Sequence, residues 1–174
     1  SVTVPGVVGT WAALSKRFGK LPFTDLFEPA LVYARDGFQV SHGIAELWDA
    51  GAERLKDQPG FAGHFMPKGD APRVGELIRN LDLAQSLETI AETKAQSFYQ
   101  GALMEKICAN AQSHGAALCA SDMENFVPEW CDPLTMSFND VVLHEIPPAG
   151  QGIAALMALG ILSHTNIENF APDS

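Results

Sequence analysis

Basic charge is scarce in this sequence. Lysine and arginine number 11 against 21 aspartates and glutamates, for a formal net charge of −10. Phosphate backbones are gripped by clustered Lys and Arg. The densest basic group here is Lys16, Arg17 and Lys20, so composition argues against nucleic acid as a partner. Long apolar runs are missing as well. None approaches the ~20 residues needed to cross a bilayer, and no membrane span is expected. The chain opens at Ser1 with neither an initiating Met nor a basic-then-apolar leader, so it is expected to be a fragment or a processed product. Cysteine is limited to Cys108, Cys119 and Cys131. With no Cys-x-x-Cys and no His at zinc-finger spacing, a structural metal is not expected. Cys108 lies on an apolar helix face and reads as a small buried hydrophobe. A disulfide between two of the three is permitted by the count and required by nothing.

Self-contained catalytic patterns are also lacking. The histidines His42, His64, His114, His144 and His164 are scattered, with no i, i+4 pair. His114 and His164 fall at helix ends, where the ring can bond terminal carbonyls; His64, in a loop, has no such account. No serine stands in Gly-x-Ser-x-Gly. Asp122 and Glu124 fall at a helix start, where acids stabilise the N-terminus. Gly150-Gln151-Gly152 before a helix could cradle an anion on free amides, but a nucleotide fingerprint needs a third glycine and an acid after the next strand. Neither is there, and no cofactor is expected. The glycines instead let the chain turn sharply and bring a helix N-terminus close to a neighbour.

What is there reads as a mainly α fold with one β-hairpin, organised as a single helical domain over residues 1–174. Charged residues make up 18% of the chain, below the quarter or so usual for a free-standing domain, so part of the surface suits protein contact. The spacing of Val7, Trp11, Leu14 and Phe18 predicts a helix over 7–18, stopped by Gly19. Thr24 or Asp25 is expected to cap a second helix, with Glu28 completing a capping box and Pro29 in the first turn or at a kink. Leu26, Ala30, Tyr33 and Ala34 would be its buried face and Gly37 its C-cap. Ser41 opens a third helix to about Leu55. Residues 58–75, rich in Gly and Pro, read as a loop. A helix over 81–93 presents Leu83, Leu87 and Ile90, and another runs from about Ser97 to His114, closed by Gly115. Ser121-Asp122-Met123-Glu124 reads as a further capping box. Alternation over Leu134–Phe138 and Val141–Glu145 around Asn139-Asp140 predicts the hairpin. The last helix, from Gly152 to about His164, is apolar on nearly every face and expects cover on all sides.

The order of several short motifs adds a family. Val4-Pro5-Gly6-Val7-Val8-Gly9 with Trp11, then Arg17-Phe18-Gly19-Lys20-Leu21-Pro22-Phe23, resemble the opening run of this kind in gamma-glutamyltranspeptidases. Glu28-Pro29-Ala30, Ala34-Arg35-Asp36-Gly37-Phe38 with Val40-Ser41, Leu81-Asp82-Leu83-Ala84-Gln85-Ser86-Leu87, Ile90-Ala91-Glu92, Phe98-Tyr99-Gln100-Gly101, Asp122-Met123-Glu124-Asn125-Phe126 and Ile146-Pro147-Pro148 with Gly152-Ile153 follow in the family's order. The resemblance covers essentially the whole chain. It implies the helical part of the large subunit of an α/β/β/α N-terminal-nucleophile hydrolase, made as a precursor that cuts itself in two. The partner would be the small, catalytic subunit of the same precursor. The small subunit's N-terminal threonine would attack a gamma-glutamyl amide such as glutathione, its own α-amine acting as base. The resemblance places that threonine downstream and the carboxylate-gripping arginine upstream, beyond this chain. Neither Thr135 nor Thr165 stands in a nucleophile's context, so no catalytic, substrate-binding or metal residue is assigned, and the chain alone is expected to be inactive. Ala149-Gly150-Gln151-Gly152 departs from the Ser-Ser-Gly-Gly form of many transpeptidases and looks like the amidase or acylase branch. A bacterial transpeptidase would be periplasmic or secreted, whereas the amidase-like branch also allows the cytoplasm. The rivals are a related amidohydrolase or acylase, and a helical interaction module without catalysis.

Overall fold

The computed structural model describes residues 3–171. Its contacts divide the chain into two compact units, Ser1–Pro128 and Glu129–Ser174. Compactness of contacts differs from independent folding, and we propose that residues 1–174 fold as a single domain, which one unfolding transition would support.

The first unit opens on α1, Val7–Phe18, ended at Gly19 as its spacing predicts. A 3-10 turn, Phe23–Phe27, leads into α2, Glu28–Asp36. Here the predicted capping box does not form. Pro29 lacks the N–H that a helix continuing from Asp25 would need, so the chain tightens into 3-10 geometry and the Thr24 hydroxyl bonds Asp25 Oδ1 instead. The later start also moves the buried face. Phe27, Leu31 and Ala34 are buried, whereas Tyr33 is 61% exposed and Leu26 47%. Ala30 is exposed too. Gly37 closes the helix at φ +97°, a conformation side chains with a Cβ resist.

From there a short antiparallel pair, missed in the sequence, forms between β1, Phe38–Gln39, and β2, Leu77–Ile78. Two residues per strand give no readable alternation. Val40, 2% exposed, extends the pair by donating to Glu76 O at 3.0 Å and accepting from Gly75 N at 2.7 Å. Between the strands lie α3, His42–Leu55, and α4, Phe61–Phe65. The latter is a short helix inside the predicted loop, held by Trp48 Nε1 donating to Phe65 O at 2.9 Å and by stacking of Phe61 on Phe65.

Asn80 caps α5, Leu81–Glu92, by accepting from Leu83 N at 2.9 Å. Ile90 of the predicted stripe is buried, while Leu83 is exposed and Ala84 and Ala91 take core positions instead. The helix predicted over 97–114 is two helices, α6, Gln96–Gln100, and α7, Ala102–Ser113. They break at Gly101, whose extended backbone runs so close to the preceding turn that a Cβ would lie 3.1 Å from Ser97 Cα. His114 bonds Asn110 O through Nδ1 at 2.8 Å, the carbonyl-capping role expected of it. A short α8, Ala120–Glu124, follows. The core gathers Val8, Phe27, Leu31, Ile90, Tyr99, Met104 and Cys108 around Met123, which is 0% exposed.

The second unit is simpler. β3, Leu134–Phe138, and β4, Val141–Glu145, pair antiparallel with Met136 opposite Leu143 and Phe138 opposite Val141. Asn139 turns the hairpin in the left-handed region. α9, Gly152–Leu162, packs on the hairpin, with Met136 Cε 3.5 Å from where a Cβ on Gly160 would stand. The mainly helical fold with one hairpin is therefore observed, plus the two-residue pair.

Candidate functional site

Three of the sequence motifs meet at one point in the first unit. The Tyr99 hydroxyl donates to Pro5 O at 2.7 Å and accepts the Gly9 N–H at 2.9 Å, so one phenol closes the turn that starts α1. Its ring stacks on Phe126, centroids 5.1 Å apart. The Phe126 ring in turn lies against the two glycines of the opening motif: a Cβ would come within 3.0 Å of it at Gly6 and at Gly9. Val-Pro-Gly-x-x-Gly, Phe-Tyr-x-Gly and Asp-Met-Glu-Asn-Phe are thus one packed knot. Burial pushes the Tyr99 phenol above its usual value, against the smaller opposing effect of the Gly9 N–H. The sequence showed these motifs only in order along the chain; contact between residues 90 apart leaves no local periodicity.

Beside the knot, α8 is capped two residues earlier than expected. The N-cap is Cys119, whose Sγ takes the cap position while Asp122 Oδ2 accepts the Cys119 N–H at 3.0 Å. The expected box at Ser121 is therefore displaced to Cys119; a thiol is an unusual cap and serine a common one. Those Cys119 hydrogen bonds, backbone first, hold the Asp122 carboxyl below the usual carboxylate range. Asp122 serves the helix start, as expected of it. Cys108 is buried in the core, and burial is the main cause that raises its thiol. All three cysteines are free thiols.

In the second unit the corner after β4 turns from strand to helix through Ile146–Gln151. Gly152 is the first residue of α9, and a Cβ there would lie 2.5 Å from Glu145 Oε2 and 2.8 Å from Glu145 Cβ. The expected close approach of the helix start is thus to Glu145. The chain's own carboxylate occupies the helix N-terminal end, where an anion is favoured, so the corner is a poor cradle for an outside anion. Gly150 has no atom within 4 Å of a built Cβ and a φ that any residue adopts. The corner needs only one of its two glycines.

The remaining candidates stay apart. His42 faces Glu46 at 3.4 Å and His64 faces Asp82 at 3.7 Å, which gives His64 a partner its sequence context did not suggest. His144 lies opposite Thr135 in the hairpin, and His164 follows α9. Thr165 Oγ1 donates to Leu162 O at 2.7 Å. Among the described residues no three His, Cys, Asp or Glu side chains gather as a metal site would require, and no helix is long and apolar enough to cross a membrane. The first unit also carries an apolar cleft of about 420 Å³ lined by Trp11, Leu14, Phe23, Leu26, Phe27 and Leu87. A polar one of about 220 Å³ lies where Lys68 Nζ meets Glu76 Oε1 at 2.5 Å.

Comparison with known proteins decides what the knot and the corner belong to. The Gamma-glutamyltranspeptidase family model matches residues 1–174. The chain belongs to the gamma-glutamyltranspeptidase family. It is 34% identical over 172 residues to the glutathione hydrolase-like YwrD proenzyme of Bacillus subtilis, covering 97% of this chain and 33% of that protein. It is 30% identical over 167 residues to the oxamate amidohydrolase proenzyme of Klebsiella pneumoniae, covering 92% of this chain and 31% of that protein. The crystal structure of cephalosporin acylase from Bacillus halodurans superposes with a TM-score of 0.91 at 40% identity, covering 99% of this chain and 33% of the other. The chain therefore spans about a third of the length of these relatives, and it is a large-subunit portion of the gamma-glutamyltranspeptidase fold.

Proposed function

We propose that the protein containing this chain cleaves a gamma-glutamyl amide such as glutathione through a threonine acyl-enzyme, and that the 174-residue chain alone is inactive. The observation that carries the reading is the family match over residues 1–174, with the family's opening, Tyr-containing and Asn-Phe motifs packed against one another at Tyr99. The nucleophile is the N-terminal threonine of the small subunit. Its α-amine takes the hydroxyl proton, the hydroxyl oxygen bonds the amide carbon, and the C–N bond breaks as the α-ammonium passes that proton to the leaving amine; water or an acceptor amine then takes the acyl group and frees the threonine hydroxyl. This chain supplies scaffold and no reacting group. Thr135 is the second residue of β3, and the Thr165 hydroxyl is bonded to a carbonyl.

A second reading has its own support. Gly150-Gln151-Gly152 replaces the Ser-Ser-Gly-Gly form, and two of the relatives above bear the names cephalosporin acylase and oxamate amidohydrolase. The same N-terminal threonine chemistry would then act on a different acyl group. Assaying the full-length protein against a gamma-glutamyl anilide, an oxamate-type amide and an acyl-amide antibiotic separates the two. Preference for the anilide supports the first reading, and preference for either of the others supports the second. A parent gene without a threonine at the subunit boundary would leave only the interaction-module reading.

A further inference from the structure

We propose that a cleft of the first unit, between α1 and α6, binds a small zwitterionic α-amino acid with an apolar side chain. The cleft is open to solvent and has a volume of about 340 Å³, within the ~300–1,000 Å³ usual for small-molecule sites. Its apolar lining includes Ala12 and Ala13 of α1 and the ring of Phe126. Its rim carries both signs of charge, Lys16 and Lys94 with Glu124. In a chain of net charge −10, where Lys56 and Lys68 each hold a carboxylate, none of these three has an ion-pair partner among the described residues.

The backbone at the rim is unusual. Lys94 and Ala95 stand in succession in the left-handed region, φ +49° and +72°. Residues with a Cβ disfavour this conformation, which clusters at ligand-binding segments. It is held by Ala95 N donating to Ile90 O at 2.8 Å. A glycine would make this turn without strain, and the residue that is there instead brings an ammonium to the cleft.

The charge pattern selects the ligand. Two ammoniums suit one carboxylate, and Glu124 suits an ammonium on the same molecule; a phosphate dianion would carry its charge against Glu124. An apolar side chain matches the apolar part of the lining. The inference is independent of the reaction proposed above, because it concerns only residues of this chain.

Equilibrium dialysis of labelled L-leucine against the full-length protein tests it. One saturable site is expected, weakened at least about tenfold in the Lys16→Ala/Lys94→Ala double variant, since each charged hydrogen bond is worth that much or more. The deaminated analogue 4-methylpentanoate should compete poorly with leucine on the unaltered protein, and as well as leucine does on Glu124→Gln. Absence of saturable binding, equal affinity in the double variant with an unchanged circular dichroism spectrum, or equal competition by 4-methylpentanoate on the unaltered protein would each overturn the proposal.

Discussion

The Tyr99 hydroxyl accepts the Gly9 N–H at 2.9 Å across 90 residues of sequence. With its second bond to Pro5 O, it ties the start of α1 to α6 and, through the stacked Phe126, to the end of α8. Removing the oxygen alone leaves the ring and strands a part-buried donor and acceptor. Tyr99→Phe is expected to lower stability by about 1–3 kcal/mol, measured by urea denaturation. The pH dependence follows from the raised phenol. The unfolded chain ionises near 10.0 while the folded phenol stays protonated higher, so this group's stability is full below that pH and is lost as pH rises through the folded value. The alkaline decline should be shallower in Tyr99→Phe.

The two glycines of the corner should behave oppositely. Gly152→Ala drives a methyl into Glu145 Cβ, which the strand holds fixed, and should destabilise by about 1–3 kcal/mol. Gly150→Ala meets open space and should be neutral or slightly stabilising. Thermal melts of both variants check this; equal effects would contradict the packing described.

Cys119 and Asp122 make a titratable helix cap. The folded Asp122 carboxyl titrates below its ordinary 3.8, so its contribution is present above that value and is lost as pH falls through the folded one. Asp122→Asn should flatten the acid side of the stability profile. Cys119→Ser, with a stronger acceptor at the cap, should hold or raise stability where Cys119→Ala lowers it.

α9 is apolar around most of its circumference, yet only Leu156 is buried, and Met157 and Ile161 are 61% and 66% exposed. Apolar surface of this extent calls for a covering partner. The 174-residue chain should therefore self-associate in sedimentation and bind a hydrophobic dye. A monomer without dye binding would count against this.

Much of the fold was legible because its signals are local. α1, α3, the hairpin and the start of α9 follow from spacing, glycine stops and the Asn139-Asp140 turn. The displaced features depend on contacts that spacing does not carry. Pro29 turned a predicted cap into a 3-10 turn, and Ser97 against Gly101 broke one helix into two. Cys119 took a cap that Ser121 would have taken by type. The site was less legible still. The Tyr99 knot joins segments far apart in sequence, so motif order revealed the family while the physical reason for the motifs needed the fold.

The proposed threonine acyl-enzyme is tested most directly by one measurement on the full-length protein. Full-length protein should be quenched during turnover of a gamma-glutamyl anilide and its subunits weighed intact. One acyl group is expected on the N-terminal threonine of the small subunit, with none on this large-subunit portion. Turnover without an acylated threonine, or an acyl group on any residue of the present chain, would contradict it.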